Sequence, residues 1–222
     1  MDTMDDLYIN NNAEEEIVIS GIAGRFPNSN NLKELQENLF NKKDLGSDNH
    51  GRWDSCYNMP HRIGNVNNIE KFDTQFFNIS AVEALTIDPG TRMFLEHTYE
   101  AIIDAGMNPK ELRGTRTGVF TATSFGETLC CFCFSKPQLA GLPWIGCSKS
   151  TFAYRISHLL GVTGPSYNID SACSSSQFAI HEAYRHIRSG DCDAAIVATV
   201  NLCLQPNVQF GFHCLEVLHI KC

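Results

Sequence analysis

The sequence has no apolar run long enough to cross a membrane. A membrane-spanning helix needs about 20 consecutive apolar residues, and no stretch of the 222 residues approaches that length. The first residues also lack the basic start and apolar centre of a secretory signal, and they lack the arginine-rich pattern of a transit peptide. We therefore expect a cytosolic protein without a membrane span.

Positive charge is scarce as well. The chain has 17 lysine and arginine residues against 25 aspartate and glutamate residues, so its formal net charge is -8. Residues 1–15 hold many of the acidic side chains and no basic one, and we expect this segment to be an acidic, disordered tail. Without a basic stripe to follow a phosphate backbone, the composition gives no support to nucleic-acid binding.

Cysteine, by contrast, is abundant, with ten residues. A disulfide framework is typical of short secreted chains, so in a cytosolic protein we expect buried thiols and at most one reactive cysteine. The run C-C-F-C at 130–133 has the side chains of a metal site. Adjacent cysteines point in different directions, however, and no second Cys-x-x-Cys pair lies at a suitable spacing, so we expect no bound metal there.

Short apolar runs alternate with segments of helical periodicity. Strands are predicted at 16–22, 114–124, 166–169 and 193–204, and helices at 31–40, 81–105, 148–160 and 174–189. Pro89 should interrupt the helix over 81–105, because proline cannot continue a helix already under way. Residues 41–79 show weak periodicity and are predicted to be an irregular excursion. This alternation predicts an α/β fold whose sheet is covered on both faces.

The clearest chemical signal is the stretch I-D-S-A-C-S-S-S-Q at 169–177. Its cysteine, Cys173, lies where a strand is predicted to end and a helix to begin. The free N–H groups and the dipole of a helix start favour a thiolate, and the small neighbours allow the sharp turn of a nucleophile elbow. The backbone N–H of Cys173 would then be available to an oxyanion. The alternative from the pattern alone is a buried, inert thiol, which is common for free cysteine.

A cysteine nucleophile normally works with a histidine. His181 and His186 are predicted on the same helix as Cys173, and at about 1.5 Å per residue they lie about 12 and 20 Å away, out of reach. Three histidines belong to other segments and stay open on spacing alone: His61, His97 and His158. A stand-alone cysteine hydrolase would need one of them beside the thiol, whereas an exposed or structural histidine is the more common case.

The motif D-S-A-C-S-S-S resembles the D-T-A-C-S-S-S active-site motif of β-ketoacyl synthases, the condensing enzymes of fatty acid and polyketide synthesis. Other similar segments follow in the family's order: 16–27, 72–77, 88–96, 99–106, 112–120, 164–166 and 194–197. The segment R-W-D-S-C-Y-N-M-P-H-R-I-G at 52–64 is more similar to the animal-type fatty acid synthase than to modular polyketide synthases. A polyketide condensing domain is the nearest alternative.

The resemblance implies a thiolase-like fold, a layered αβαβα sandwich of which residues 16–210 form the N-terminal half. It implies that Cys173 accepts an acyl chain before decarboxylative Claisen condensation with a malonyl thioester. It implies no bound cofactor, because the substrates are carried on the phosphopantetheine of an acyl carrier protein or on CoA. The partners it implies are an acyl carrier protein domain and, for a complete domain, a second copy in a homodimer.

The resemblance fails after about residue 210, so residues 211–222 are expected to be a divergent tail. The family motifs with the two catalytic histidines are not found, and an incomplete domain is expected. A non-catalytic truncated paralogue is therefore a second hypothesis, since half of a layered fold leaves apolar surface uncovered. One group of metal-ligand types lies in this part: His213, Cys214, His219 and Cys222. Because the sequence diverges here, an alternative exon or a gene-model error is favoured over a zinc site.

Smaller departures occur inside the matched region. Ser171 stands for the usual threonine, Gln177 for leucine and Gly90 for glutamine, and T-A-T-S-F-G-E at 121–127 replaces a glycine-rich strand. Serine keeps the hydroxyl of threonine. We expect Gly90 and the segment at 121–127 to weaken packing or dimer contacts.

Overall fold

The structure, a computed structural model, describes residues 16–48, 51–53, 59–135 and 141–218. The acidic segment at 1–15 lies outside the described residues. In chain order the elements are α1 (Leu32–Phe40), β1 (Gly46–Ser47), β2 (Ile63–Gly64), α2 (Ala81–Thr86), α3 (Pro89–Asp104), β3 (Thr117–Ala122), α4 (Glu127–Ser135), α5 (Leu142–Cys147), α6 (Phe152–Leu160), β4 (Ser166–Ile169), α7 (Ser175–Arg188), β5 (Ala194–Thr199) and α8 (Pro206–Cys214).

The central sheet has three parallel strands in the order β4-β3-β5. Ala122, the last residue of β3, pairs with Ile169 on one side and with Thr199 on the other. The carboxyl ends of all three strands therefore meet at one edge of the sheet. In open parallel sheets this edge is where ligands bind.

Helices cover both faces of this sheet. Val119 and Phe120 of β3 are fully buried and, as strand neighbours, point to opposite faces. Val119 belongs to a core cluster with side chains of α3 and α6, such as Phe94 and Phe152. Phe120 packs instead with the alanines of α7, including Ala179. The predicted α/β fold with a covered sheet is confirmed.

Local signals place several helix ends where the sequence predicts them. The Asn31 side chain accepts a hydrogen bond from the Glu34 N–H, which starts α1. Pro89 lies in the first turn of α3 behind Asp88, so the expected interruption at residues 88–90 separates α2 from α3. Gly190 follows α7 with a left-handed φ of 76°, as is common after a helix.

The strand predicted at 16–22 is wrong. No strand is assigned there, and the side chains of Val18 and Ile19 are 71% and 81% exposed. The segment runs instead along the end of α3, where the Ile22 N–H donates to the Asp104 carboxylate at 2.9 Å. A β-branched pattern favours extended backbone, but a strand also needs a neighbour for its hydrogen bonds.

Two other expectations also differ from the structure. The strand predicted at 193–204 is shorter, and as an outer strand β5 is only partly buried. Helices α4, α5 and α8 were not predicted. Helix α8 crosses residue 210, although the domain boundary placed there stays a prediction.

Candidate active site

Cys173 lies in the connection between β4 and α7, at the carboxyl edge of the sheet. It belongs to a single 3-10 turn, Ala172–Ser174, and α7 begins directly after it. The residue is exposed, so the alternative of a buried thiol does not hold. No side chain caps the start of α7. Within this turn the Ser174 N–H donates to the Ser171 carbonyl at 3.3 Å, and the Ser175 N–H donates to the Ala172 carbonyl. The helix dipole favours negative charge beside the Cys173 thiol.

The residue before Cys173 has an unusual backbone conformation. Ala172 has a φ of 53°, in the left-handed region that side chains with a Cβ rarely adopt. Its N–H donates to Asp170 Oδ1 at 3.2 Å. Its carbonyl oxygen accepts hydrogen bonds from Ser124 Oγ at 3.0 Å and Ser175 Oγ at 2.6 Å. These bonds from three residues hold the turn that presents Cys173.

Ser175 is the buried centre of this elbow, with 5% of the residue exposed. Its hydroxyl donates to the Ala172 carbonyl and accepts the Ser171 N–H at 2.9 Å. Ser174 ties the same turn from the other side, because its hydroxyl donates to the Ser171 carbonyl at 2.8 Å. The hydroxyl-rich motif is thus used to close the turn.

A lysine that the sequence did not single out reaches the elbow. Lys149 Nζ donates to Asp170 Oδ2 at 2.7 Å and also to the backbone carbonyl of Ser124. The hydrogen bond from Lys149 is the largest cause that lowers the pKa of Asp170 below its usual value. The pair is partly exposed, with 33% and 44% of the two side chains accessible, so solvent screens its charge interaction.

Several of the described histidines have partners away from Cys173. His186 forms hydrogen bonds with Tyr167 and Asp191, and His97 forms one with Glu100. His158 stacks on Tyr154, and His61 is partly buried. In the described part of the chain no histidine forms a hydrogen bond with the Cys173 thiol. The structure therefore gives no support to a stand-alone cysteine hydrolase.

A small cavity opens at the same edge of the sheet. Its lining residues are Asp88, Gly90, Thr123, Phe125, Glu127, Val200, Leu202 and Leu204. Burial raises the pKa of the Glu127 carboxyl, although the backbone N–H groups of Leu204 and Gln205 donate to it at 3.3 and 2.5 Å. Gly90, one of the departures from the family pattern, packs closely here, because a Cβ at this position would lie 2.9 Å from Val200.

The two groups of metal-ligand types lie only partly among the described residues, since the side chains of Cys130 and Cys133 are outside them. Within those residues no group of three or more His, Cys, Asp or Glu side chains is placed to hold an ion. His219 and Cys222 lie outside the described residues. The described helices also include none that is long and apolar enough to span a membrane.

The parallel sheet carries an exposed cysteine on a tight strand-to-helix elbow at its carboxyl edge. Solved ketosynthases have the same fold. The ketosynthase from module 6 of the bacillaene synthase of Bacillus subtilis 168 is 32% identical, with a TM-score of 0.80 over 90% of this chain and 34% of that chain. The oxazolomycin ketosynthase domain of Streptomyces albus JA3453 is also 32% identical, with a TM-score of 0.82 over 94% and 38%. The thiolase-like fold is confirmed.

The family model described as "Beta-ketoacyl synthase, N-terminal domain" matches residues 14–220. The fatty acid synthase of Anser anser anser is 45% identical over 92% of this chain and 58% of its own length. The mycoketide-CoA synthase of Mycobacterium tuberculosis is 34% identical over 90% of this chain and 5% of its own length. The chain belongs to the β-ketoacyl synthase family, and it spans less than two thirds of these relatives.

Proposed function

We propose that this chain is the N-terminal part of a condensing domain of the fatty acid synthase type, in which Cys173 accepts the acyl chain. The observation that carries the proposal is the exposed thiol at the uncapped start of α7. The proposal is supported by the 45% identity to the goose fatty acid synthase. The acyl donor is a thioester of phosphopantetheine on an acyl carrier protein domain, or of CoA.

The first half-reaction is thioester exchange. The Cys173 thiolate attacks the thioester carbonyl, and the resulting oxyanion accepts a hydrogen bond from the backbone N–H of Cys173. This attack forms the bond from Sγ to the acyl carbon, and collapse of the intermediate breaks the bond from that carbon to the pantetheine sulfur. The pantetheine sulfur leaves as a thiolate and takes up the proton that the Cys173 thiol released to solvent.

The second half-reaction joins the acyl group to a malonyl thioester with loss of carbon dioxide. The family motifs supply two histidines for this step, and no described histidine bonds with Cys173. We therefore expect acyl transfer from this chain as given, and condensation only from a chain that also has those motifs. The active form is proposed to be cytosolic and homodimeric. The dimer is supported by β4, because it is an outer strand whose first residues are exposed and whose free edge can pair with another strand.

Two alternatives have observations in their favour. The solved ketosynthases that match include one from the bacillaene polyketide synthase of Bacillus amyloliquefaciens, which favours a polyketide condensing domain. Branched or β-keto donors would then be transferred faster than straight saturated ones. The exposed apolar side chains, among them Val18, Ile19 and Phe178, favour a non-catalytic truncated paralogue. That alternative predicts no acyl transfer at all.

The test is the intact mass of the protein after incubation with a straight-chain acyl-pantetheine. We expect one acyl adduct in the wild type and in Cys214→Ala, which removes another exposed thiol, and none in Cys173→Ala. An absent adduct, or adducts spread over several cysteines, would contradict the proposal.

A further inference from the structure

The left-handed turn at Ala172 needs external support. A residue with a Cβ avoids this backbone region, and a strained conformation persists only where its surroundings determine it. Two of its hydrogen bonds come from outside α7: Asp170 accepts the Ala172 N–H and Ser124 donates to the Ala172 carbonyl. The geometry of the elbow therefore depends on where Asp170 and Ser124 are held.

One side chain holds both of these residues. Lys149 Nζ donates to the carboxylate of Asp170 and to the backbone carbonyl of Ser124. Ser124 follows β3 and Asp170 follows β4, whereas Lys149 lies in a 3-10 turn, Lys149–Thr151, before α6. The ammonium group thus ties three separate connections together beside the elbow. Such charge-assisted hydrogen bonds are shorter and stronger than neutral ones.

We propose that Lys149 is a positioning residue for the Cys173 nucleophile. By fixing Asp170 and Ser124 on the two sides of the Ala172 peptide units, it sets the turn that aims the thiol and the neighbouring backbone N–H at the acyl donor. It acts through other residues and does not touch the substrate. The inference rests on the proposed acyl transfer for its kinetic test, whereas the structural test is independent of it.

The kinetic test uses the full chain with an acyl-pantetheine donor at several concentrations. Lys149→Met lowers the saturating rate of Cys173 acylation about tenfold, since small misplacements of reacting atoms cost up to about a hundredfold. The donor concentration for half-maximal rate stays within about twofold of wild type, because the donor is not bound by Lys149. Lys149→Arg keeps the charge and recovers most of the rate. The matched control is Lys110→Met, because Lys110 is exposed and lies in a different 3-10 turn, Pro109–Leu112.

The structural test is amide hydrogen exchange of the peptide that contains residues 169–177. Exchange there becomes about tenfold faster in Lys149→Met and remains unchanged in Lys110→Met, because local opening sets the exchange rate. Asp170→Asn, which keeps the shape of the side chain, produces the same two effects. The double variant is no worse than the more severe single variant, since the two residues act as one unit.

The outcomes separate the two proposals. If the wild type shows no acyl adduct while exchange at the elbow still responds to Lys149→Met, the positioning role stands and the proposed acyl transfer fails. Unchanged exchange in both Lys149→Met and Asp170→Asn would overturn the positioning role, whatever the acylation rates are. Additive effects in the double variant would overturn it too. If Lys149→Met does not fold, Asp170→Asn supplies the same measurements.

Discussion

Replacing Ser175 by alanine removes the hydroxyl at the buried centre of the elbow. The serine is 5% exposed, so water has little access to the groups that it leaves behind. Its bond to the Ala172 carbonyl has a substitute, because that oxygen also accepts the hydroxyl of Ser124 at 3.0 Å. Its bond from the Ser171 N–H has none among the described residues.

The expected cost follows from this difference. One carbonyl stays satisfied, and one partly buried N–H loses its acceptor, which costs about 1–3 kcal/mol. Because the Ser171 N–H is only partly buried, we expect the lower half of this range, about 1–2 kcal/mol in the free energy of unfolding. The elbow also loses a hydrogen bond next to Cys173. The rate of acylation should therefore fall by more than the decrease in the folded fraction would explain.

The assay is urea unfolding of Ser175→Ala, followed by circular dichroism, with acylation measured on the same samples. The matched control is Ser148→Ala, since the hydrogen bond between the Ser148 and Ser150 hydroxyls, at 2.9 Å, is exposed to solvent. The control should change the free energy of unfolding by less than about 0.5 kcal/mol. Equal losses in the two variants would refute the role assigned to the Ser175 hydroxyl.

Three further predictions concern packing and charge. Gly164→Ala should lower the free energy of unfolding by about 1–3 kcal/mol, because its Cβ would lie 2.5 Å from the Thr117 backbone; Gly211→Ala, with open space around it, is the control, and urea unfolding compares the two. Phe152→Ala should cost about 3–5 kcal/mol by the same assay, because Phe152 is 1% exposed, and a loss below about 1 kcal/mol would contradict its place in the core. Lys149 lowers the pKa of Asp170. The stability that this carboxylate contributes is therefore present above its unfolded pKa of about 3.9 and is lost as the pH falls through the lower folded value. The difference in free energy of unfolding between wild type and Asp170→Asn should shrink towards acid pH, and a constant difference would contradict this prediction.

Elements with local signals could be predicted from the sequence. The strand over 166–169 and the helices that begin near Asn31 and end near Gly190 depend on turn residues and caps that lie within the same segment. The break at Pro89 is local in the same sense, because the ring excludes a continuous helix whatever packs against it.

Elements without such signals could not be predicted. The run at 16–22 has the composition of a strand but no neighbouring strand in the described structure, and it lies along α3 instead. Helices α4 and α8 have weak apolar periodicity, and packing against the rest of the fold decides their conformation. The hydrogen bond of Gln209 to the Pro60 carbonyl at 2.8 Å is one such contact for α8, across 149 positions in the chain.

At the site itself, the sequence alone predicted the proposed reacting group and the turn that carries it. Cys173 stands among small, hydroxylated residues between a strand and a helix, and that arrangement predicts a thiol at a helix start. Its exposure was decided by the structure, because the pattern alone also allowed a buried thiol. The resemblance of the surrounding motif also identified the family.

Only the tertiary structure decided that Lys149 and Ser124 support this thiol. Ser124 is 48 positions away from Ala172, and Lys149 is 21 positions away from Asp170. They meet because the pairing of Ala122 with Ile169 brings the ends of β3 and β4 side by side. A strand register of this kind depends on the packing of the whole sheet. Hydrogen bonds between the loops that follow β3 and β4 therefore cannot be predicted from the sequence of either loop alone.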